Sequence, residues 1–252
     1  MTVPIQRPAT QGGLFLWVMH RFAERFSDHA VLKGGMALRL FDCPRTTNDI
    51  DYVFVPFASK KDVVDDVKAV LAELTDANVD VRLHSKMLRA RVTLDAATIQ
   101  VEVNVAADCP STPLPTGAFA RENGQPSRIV RVMAPSHALA HKLAAWNERR
   151  LLRDLYDAWF LSRRLGGDVE RAVLQTRLAR LESRHPALGG RRRMTVDEFV
   201  SALRAELAAL DAVRIDQELS PLLPPEEIVG LELRLRSGLG ALADRLAPDA
   251  VD

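Results

Sequence analysis

Apolar and polar positions along the chain change period twice. Between residues 12 and 26, Leu14, Val18, Phe22 and Phe26 recur every four positions, the spacing of one face of a helix. Met36 to Phe41 predicts a short helix opened by Gly34-Gly35, and Cys43-Pro44-Arg45-Thr46-Thr47 a loop. Asp49 to Val55 predicts a strand. Ser59, with Asp62 three residues on, predicts a capped helix over 60–74. Three alternating runs follow, each the period of a half-buried strand. The first is Val79 to Leu83. In Leu88 to Leu94, Leu88, Ala90, Val92 and Leu94 share one face, and Arg89, Arg91 and Thr93 the other. In Ile99 to Val105, Ile99, Val101, Val103 and Val105 face inward while Gln100, Glu102 and Asn104 face outward. Residues 108–127, rich in Pro, Gly, Ser and Thr, predict a loop, and Arg128 to Met133 a final strand.

After Pro135-Ser136 the pattern is helical to the end, broken at Gly166-Gly167, between His185 and Arg193, and between Pro221 and Pro225. Strands first and a run of helices afterwards predict an α+β chain, with a sheet-bearing head and a helical tail. No repeat or low-complexity tract interrupts it.

Composition changes this picture little, and charge changes it more. Hydrophobic residues make up 47% and charged residues 27% of the 252, an ordinary globular balance. No apolar run approaches membrane-spanning length, and Gly13 to Met19 lacks the flanks of a signal peptide. Cys43 and Cys109 have no metal-like spacing. A cytoplasmic protein without disulfides is expected. The net charge of +1 hides a basic block, residues 142–193, with 13 Lys+Arg against 6 Asp+Glu. Residues 194–252 carry 5 against 12. Charge alone fits a phosphate-attracting surface and two helical blocks that neutralise each other equally well.

Candidate chemistry centres on Lys33-Gly34-Gly35 and Asn48-Asp49-Ile50-Asp51. Asp49 and Asp51, at i and i+2 of a strand, point to one face. Two adjacent carboxylates repel unless a cation lies between them. If the strand bearing Glu102 is a neighbour, three hard oxygen donors converge, a set that suits Mg²⁺. The glycines let a backbone approach a phosphate closely. Lys142, Arg149 and Arg153, spaced by seven and four, share a face if one helix runs through them, with Asp157 four residues beyond Arg153. Leu139, Leu143, Leu151 and Leu155 then form its buried stripe. Each feature also has a plain structural reading: an acidic strand edge, a turn into a helix, a solvated basic helix with an Arg153–Asp157 pair.

Taken together, Leu32 to Leu40, Arg45 to Asp51, Ile99 to Asn104, and His141-Lys142-Leu143 through Arg149 to Arg153-Asp154-Leu155-Tyr156-Asp157 resemble the AbiEii family of nucleotidyltransferase-like toxins. That family includes the MenT toxins and belongs to the DNA polymerase β-type nucleotidyltransferase superfamily. The resemblance spans residues 30–165 and keeps the family's motif order. It implies a polymerase β-type head, 1–134, with a mixed or antiparallel sheet flanked by helices. It also implies a helical C-terminal domain, 135–252, that contributes Lys142 and Asp157 to the site. Gly34 and Gly35, with Lys33 and Arg39, match the phosphate-binding side. Asp49 and Asp51 match the metal pair, and Glu102 falls where a third acid often stands. Lys142 matches the essential lysine and Asp157 the late aspartate of an Arg-Asp-x-x-Asp motif; Arg149, Arg153 and Asp154 line the substrate side. The implied reaction moves a nucleoside monophosphate from an NTP, with Mg²⁺ or Mn²⁺, to RNA such as the 3′ end of tRNA. The implied partners are the RNA acceptor and a cognate antitoxin, with no membrane. The chain departs from the family at Met36, where Ser or Thr is common, which implies the loss of a phosphate contact or of a site for regulatory phosphorylation. The residues also fit transfer to a protein or small molecule, or a catalytically degenerate nucleotide-binding module.

Overall fold

The computed structural model describes residues 7–247. The chain divides into two compact units, Met1–Ala134 and Pro135–Asp252.

The first unit opens with α1 (Gln11–Phe26), whose first turn is capped by Thr10 accepting the Gly13 N–H at 3.0 Å. β1 (Ala30–Lys33), α2 (Gly34–Leu40), β2 (Asp49–Phe54) and α3 (Val64–Ala72) follow. Next come β3 (Asn78–Leu83), β4 (Leu88–Leu94), β5 (Ala97–Val105), β6 (Ser111–Pro115), α4 (Gly117–Glu122) and β7 (Ile129–Met133). Among the described residues the strands form one mixed sheet in the order β3-β4-β5-β2-β1-β7-β6. β2 pairs antiparallel with β1 and parallel with β5, and β4 pairs antiparallel with β5.

Strict alternation in β4 and β5 sends Leu88, Ala90, Val92, Ile99, Val101 and Val103 into a core shared with α1 and α3. Rings fill its centre. Phe22 lies 5.0 Å from Tyr52, and Phe26 4.7 Å from Phe54, centroid to centroid. Burial pushes the Tyr52 phenol far above its ordinary pKa. His20 is wholly buried, with Nε2 3.1 Å from Thr116 Oγ1. Burial, then the nearby Arg128 cation, lower its pKa to about 4 against the opposing pull of Glu24. The sheet's other face carries the polar residues of β2, β4 and β5.

Three segments differ from the sequence expectation. The segment 108–127, expected as a loop, contains β6 and α4. β6 carries Pro113 and Pro115 at the sheet's rim, where a missing N–H costs little. β1 was not anticipated, because Ala30, Val31 and Leu32 are all buried and show no alternation. The helix expected over 60–74 begins as a 3₁₀ turn, Lys60–Asp62, with the anticipated Ser59–Asp62 capping box, and becomes α-helical only at Val64.

The second unit is helical: α5 (Pro135–Arg149), α6 (Leu152–Arg163), α7 (Arg171–Leu178), α8 (Val196–Ala209), α9 (Ala212–Leu219), α10 (Pro225–Ile228) and α11 (Leu231–Leu246). Its core contains Trp146, edge-to-face with Phe199 at 5.8 Å, and Leu143, Leu155, Leu203, Leu235 and Leu239. Arg191–Glu198 and Arg245–Asp168 pair the basic segment with the acidic one, at 3.1 and 3.8 Å. Cys43 and Cys109 are both buried. No helix among the described residues is long and apolar enough to cross a membrane.

Candidate active site

The turn from β1 to α2 explains the glycine pair. Lys33 is extended, and Gly34 turns at φ +70°, a conformation L side chains rarely adopt. A Cβ on Gly34 would sit 3.0 Å from Asp51 Cγ and closer still to Oδ2. A Cβ on Gly35 would meet the Arg45 guanidinium at 2.6 Å and Thr47 Cβ at 3.0 Å. The glycines therefore let the turn lie directly against a carboxylate and a buried arginine. Lys33 Nζ stands 3.8 Å from Asp51 Oδ1 and offsets part of its charge.

β2 presents Asp49 and Asp51 on one face, with Ile50 and Tyr52 buried on the other. Thr47 Oγ1 accepts the Asp49 N–H and donates to its carbonyl, both at 3.3 Å, fixing the strand's entry. The parallel register sets Gln100 beside Asp49 and Glu102 beside Asp51. Gln100 Nε2 donates to Asp49 Oδ1 at 3.3 Å and to Glu102 Oε1 at 2.8 Å. Arg89, opposite Glu102 on β4, donates to the same Oε1 from Nε at 3.1 Å and from its terminal nitrogen at 2.8 Å. The Asp49/Asp51 pair has the hard-oxygen chemistry that fits Mg²⁺ with phosphate and water as remaining ligands. Glu102 stands next to that pair but is drawn toward Arg89. Among the described residues, no group of three or more His, Cys, Asp and Glu closes into a metal-holding cluster. Met36, where a hydroxyl was expected, is buried in the core.

In the second unit the expected single helix is broken. Arg150 takes φ +56° between α5 and α6, so Lys142 and Arg149 lie on one helix and the exposed Arg153 on the next. Of the expected leucine stripe, Leu139, Leu143 and Leu155 are fully buried and Leu151 is partly exposed. The break brings two buried acids of α6 against α5. Lys142 Nζ lies 2.6 Å from Asp157 Oδ2 and 3.6 Å from Asp154 Oδ1. Arg149 reaches both Asp154 oxygens at 2.7 Å. Asp154 and Asp157 have no exposed surface, and carboxylates so placed need paired cations. Arg39, half-buried on α2, lies 3.8 Å from Glu122.

Sequence reasoning did not single out Arg45, Thr47, Arg89 or Gln100. Arg89 and Gln100 were visible only as polar positions on alternating strands; the register that aims them at Glu102 and Asp49 was not. Arg45 is 6% exposed and its guanidinium donates to the Thr46 carbonyl at 2.9 Å. An arginine in a Pro- and Thr-containing loop carries no signal of burial.

The site is thus a mixed sheet with an Asp-x-Asp pair on an inner strand, Asp51 lying against a glycine turn, and this fold is that of a nucleotidyltransferase-like protein by its likeness to solved structures. The chain belongs to the AbiEii family: the model for "Nucleotidyl transferase AbiEii toxin, Type IV TA system" matches residues 11–230. It is thus a nucleotidyltransferase of a toxin–antitoxin family. The fold is shared with the nucleotidyltransferase toxin MenT4 of Mycobacterium tuberculosis H37Rv, with TM-score 0.62, 21% identity, and coverage of 95% of this chain and 85% of that one. It is also shared with JHP933 of Helicobacter pylori, with TM-score 0.53, 15% identity, and coverage of 94% and 91%. No curated protein sequence matches the chain.

Proposed function

We propose that the chain transfers a nucleoside monophosphate from an NTP to RNA, at the 3′ acceptor end of tRNA, releasing pyrophosphate. The observation that carries this reading is the Asp49/Asp51 pair on one face of β2, with Asp51 lying against the Gly34 turn, in a chain of the AbiEii family. The ribose 3′ oxygen of the acceptor forms a bond to the α-phosphorus. The bond from that phosphorus to the bridging oxygen breaks, pyrophosphate leaves with its electron pair, and the hydroxyl proton is released to solvent. Asp49 and Asp51, with Glu102 beside them, would hold Mg²⁺ or Mn²⁺. Bound there, a divalent cation supplies Lewis-acid stabilisation of the charge on the transferring phosphate. Gly34, Gly35 and Lys33 receive the donor's phosphates, with Arg39 nearby on α2. Gln100 and Arg89 fix the orientation of Asp49 and Glu102.

Lys142 keeps the role its motif implies, neutralising the triphosphate, and Asp157 and Asp154 hold its ammonium in place. Arg149 secures Asp154, and Arg153 remains available to substrate. A cognate antitoxin is the protein partner.

The test is incubation of the protein with each α-labelled NTP, Mg²⁺ and total tRNA. Label on RNA with at least one NTP is expected, and it disappears in Asp49→Ala and Lys142→Ala. No label on RNA with any NTP, or label on protein or a small molecule alone, refutes the reading.

A further inference from the structure

β2 is the fourth of seven strands, with the Gly34 turn on its β1 side and Glu102 on its β5 side. In phosphoryl transfer the attacking and leaving oxygens stand roughly in line, on opposite sides of the phosphorus. A triphosphate received at the glycine turn leaves the β5 side for the attacking hydroxyl.

Beyond Glu102 the same face runs on across β4 and β3. Directly opposed residues on neighbouring strands share a face. Arg89 opposes Glu102, Arg82 opposes Arg89, and Arg91 opposes both Gln100 and Asp80. The side chains that β3 and β4 place there are Asn78, Asp80, Arg82, Arg89, Arg91 and Thr93, all polar. Two arginines directly across from each other cost the sheet stability. Asp80, 2.8 Å from Arg82, and Glu102, 2.8 Å from Arg89, offset that cost, and Arg91 is exposed. Arg82 is 71% and Arg89 43% exposed, so burial does not account for them. Guanidinium groups match phosphate oxygens in shape as well as charge. The face also lacks the apolar centre that a protein interface usually contains.

We infer that the β3–β4–β5 face receives the single-stranded 3′ end of an RNA acceptor, Arg82 and Arg91 holding its phosphodiester backbone and Arg89 standing near the reacting end. The inference rests on the reading of the chain as an RNA nucleotidyltransferase.

The experiment measures fluorescence anisotropy of a labelled single-stranded oligoribonucleotide with a free 3′ hydroxyl. It compares the full chain, Arg82→Glu/Arg91→Glu, and the control Lys68→Glu, an exposed α3 position on the opposite side of the sheet. Thermal midpoints confirm folding, since all three positions are exposed. The double variant is expected to bind RNA about tenfold or more weakly, to lose about 1.4 from the salt slope at ~0.7 per phosphate contact, and to bind NTP unchanged. Lys68→Glu binds RNA as the wild type does. RNA affinity within about twofold of wild type in the double variant overturns the inference; so does a wild type that binds no RNA. Label transfer separates the two proposals. Transfer to RNA together with normal RNA binding by the double variant removes the face and leaves the function. No transfer, with RNA binding lost in the double variant, removes the function and leaves the face.

Discussion

Gly34→Ala separates the architecture of the site from the stability of the fold. Two costs meet at this position. An L residue at φ +70° pays about 1–2 kcal/mol of backbone strain. The new methyl also falls on the Asp51 carboxylate, 3.0 Å from Cγ where ordinary contact begins at 3.4 Å, and nearer to Oδ2. Asp51 is 23% exposed and its carboxylate can swing aside, which leaves a 3.1 Å contact to Asp51 Cβ that a shift of a few tenths of an ångström relieves, so the second cost stays small in stability. The carboxylate moves by roughly 1 Å, and a displacement of that size in a reacting group costs about 10²-fold in rate. The variant is therefore expected to unfold in urea with a loss of only about 1–3 kcal/mol, while nucleotide transfer falls by about two orders of magnitude. Urea melts and single-turnover label transfer measure the two quantities on one preparation. Transfer within about twofold of wild type would show that Asp51 need not lie against the turn. A loss of stability with no excess loss of activity would show that the turn serves the fold alone.

Three further perturbations follow from the geometry. Lys142→Met removes the ammonium 2.6 Å from the buried Asp157 and is expected to cost about 3–5 kcal/mol; Lys142→Met with Asp157→Leu restores most of that stability in urea melts but no transfer, and recovered transfer would show the pair to be structural only. Glu102→Gln keeps a partner for Arg89 and is expected to lower transfer far less than Asp49→Asn; equal losses in titrations with Mn²⁺ would make Glu102 a full metal ligand. His20 is held neutral, with its folded pKa near 4 against 6.5 in the unfolded chain. Above pH 6.5 neither state is charged and it contributes nothing to pH dependence. Below that, the unfolded chain takes up a proton the folded chain refuses, and stability falls by up to about 1.4 kcal/mol per pH unit down to about pH 4. At pH 5 the wild type should lose about 2 kcal/mol that His20→Gln retains in urea melts, and identical pH slopes would refute this account.

The legibility of the chain tracked the strength of local periodicity. β4 and β5 were readable because each pairs a wholly apolar face with a polar one. β1 was not, since Ala30 to Leu32 is buried on both sides and its period vanishes. β6 and α4 were hidden by composition: a rim strand tolerates Pro113 and Pro115, and proline in isolation reads as loop. That Asp49 and Asp51 share one face of a strand was readable from spacing alone. The partnership of Gln100 and Arg89 with them depends on which strands neighbour β2 and in what register, a non-local property. The helix through Lys142 and Arg153 was misjudged because the left-handed residue that breaks it is Arg150, a residue type that gives no warning of a turn. That break also made the Lys142–Asp157 pair a contact between two helices rather than neighbours along one.

The alternation Asp49-Ile50-Asp51-Tyr52 has a consequence for how the chain finds its structure. A one-residue slip of β2 against β5 would turn both aspartates toward Phe22 and Phe26, and expose Ile50, Tyr52 and Phe54 to water. Each carboxylate would lose its solvation without gaining Lys33 or Gln100 as a neighbour, a penalty of several kcal/mol per group. Misaligned sheets are thus disfavoured during folding by the same two acids proposed to bind the cation, and any substitution that neutralises both also relaxes the proofreading of strand alignment.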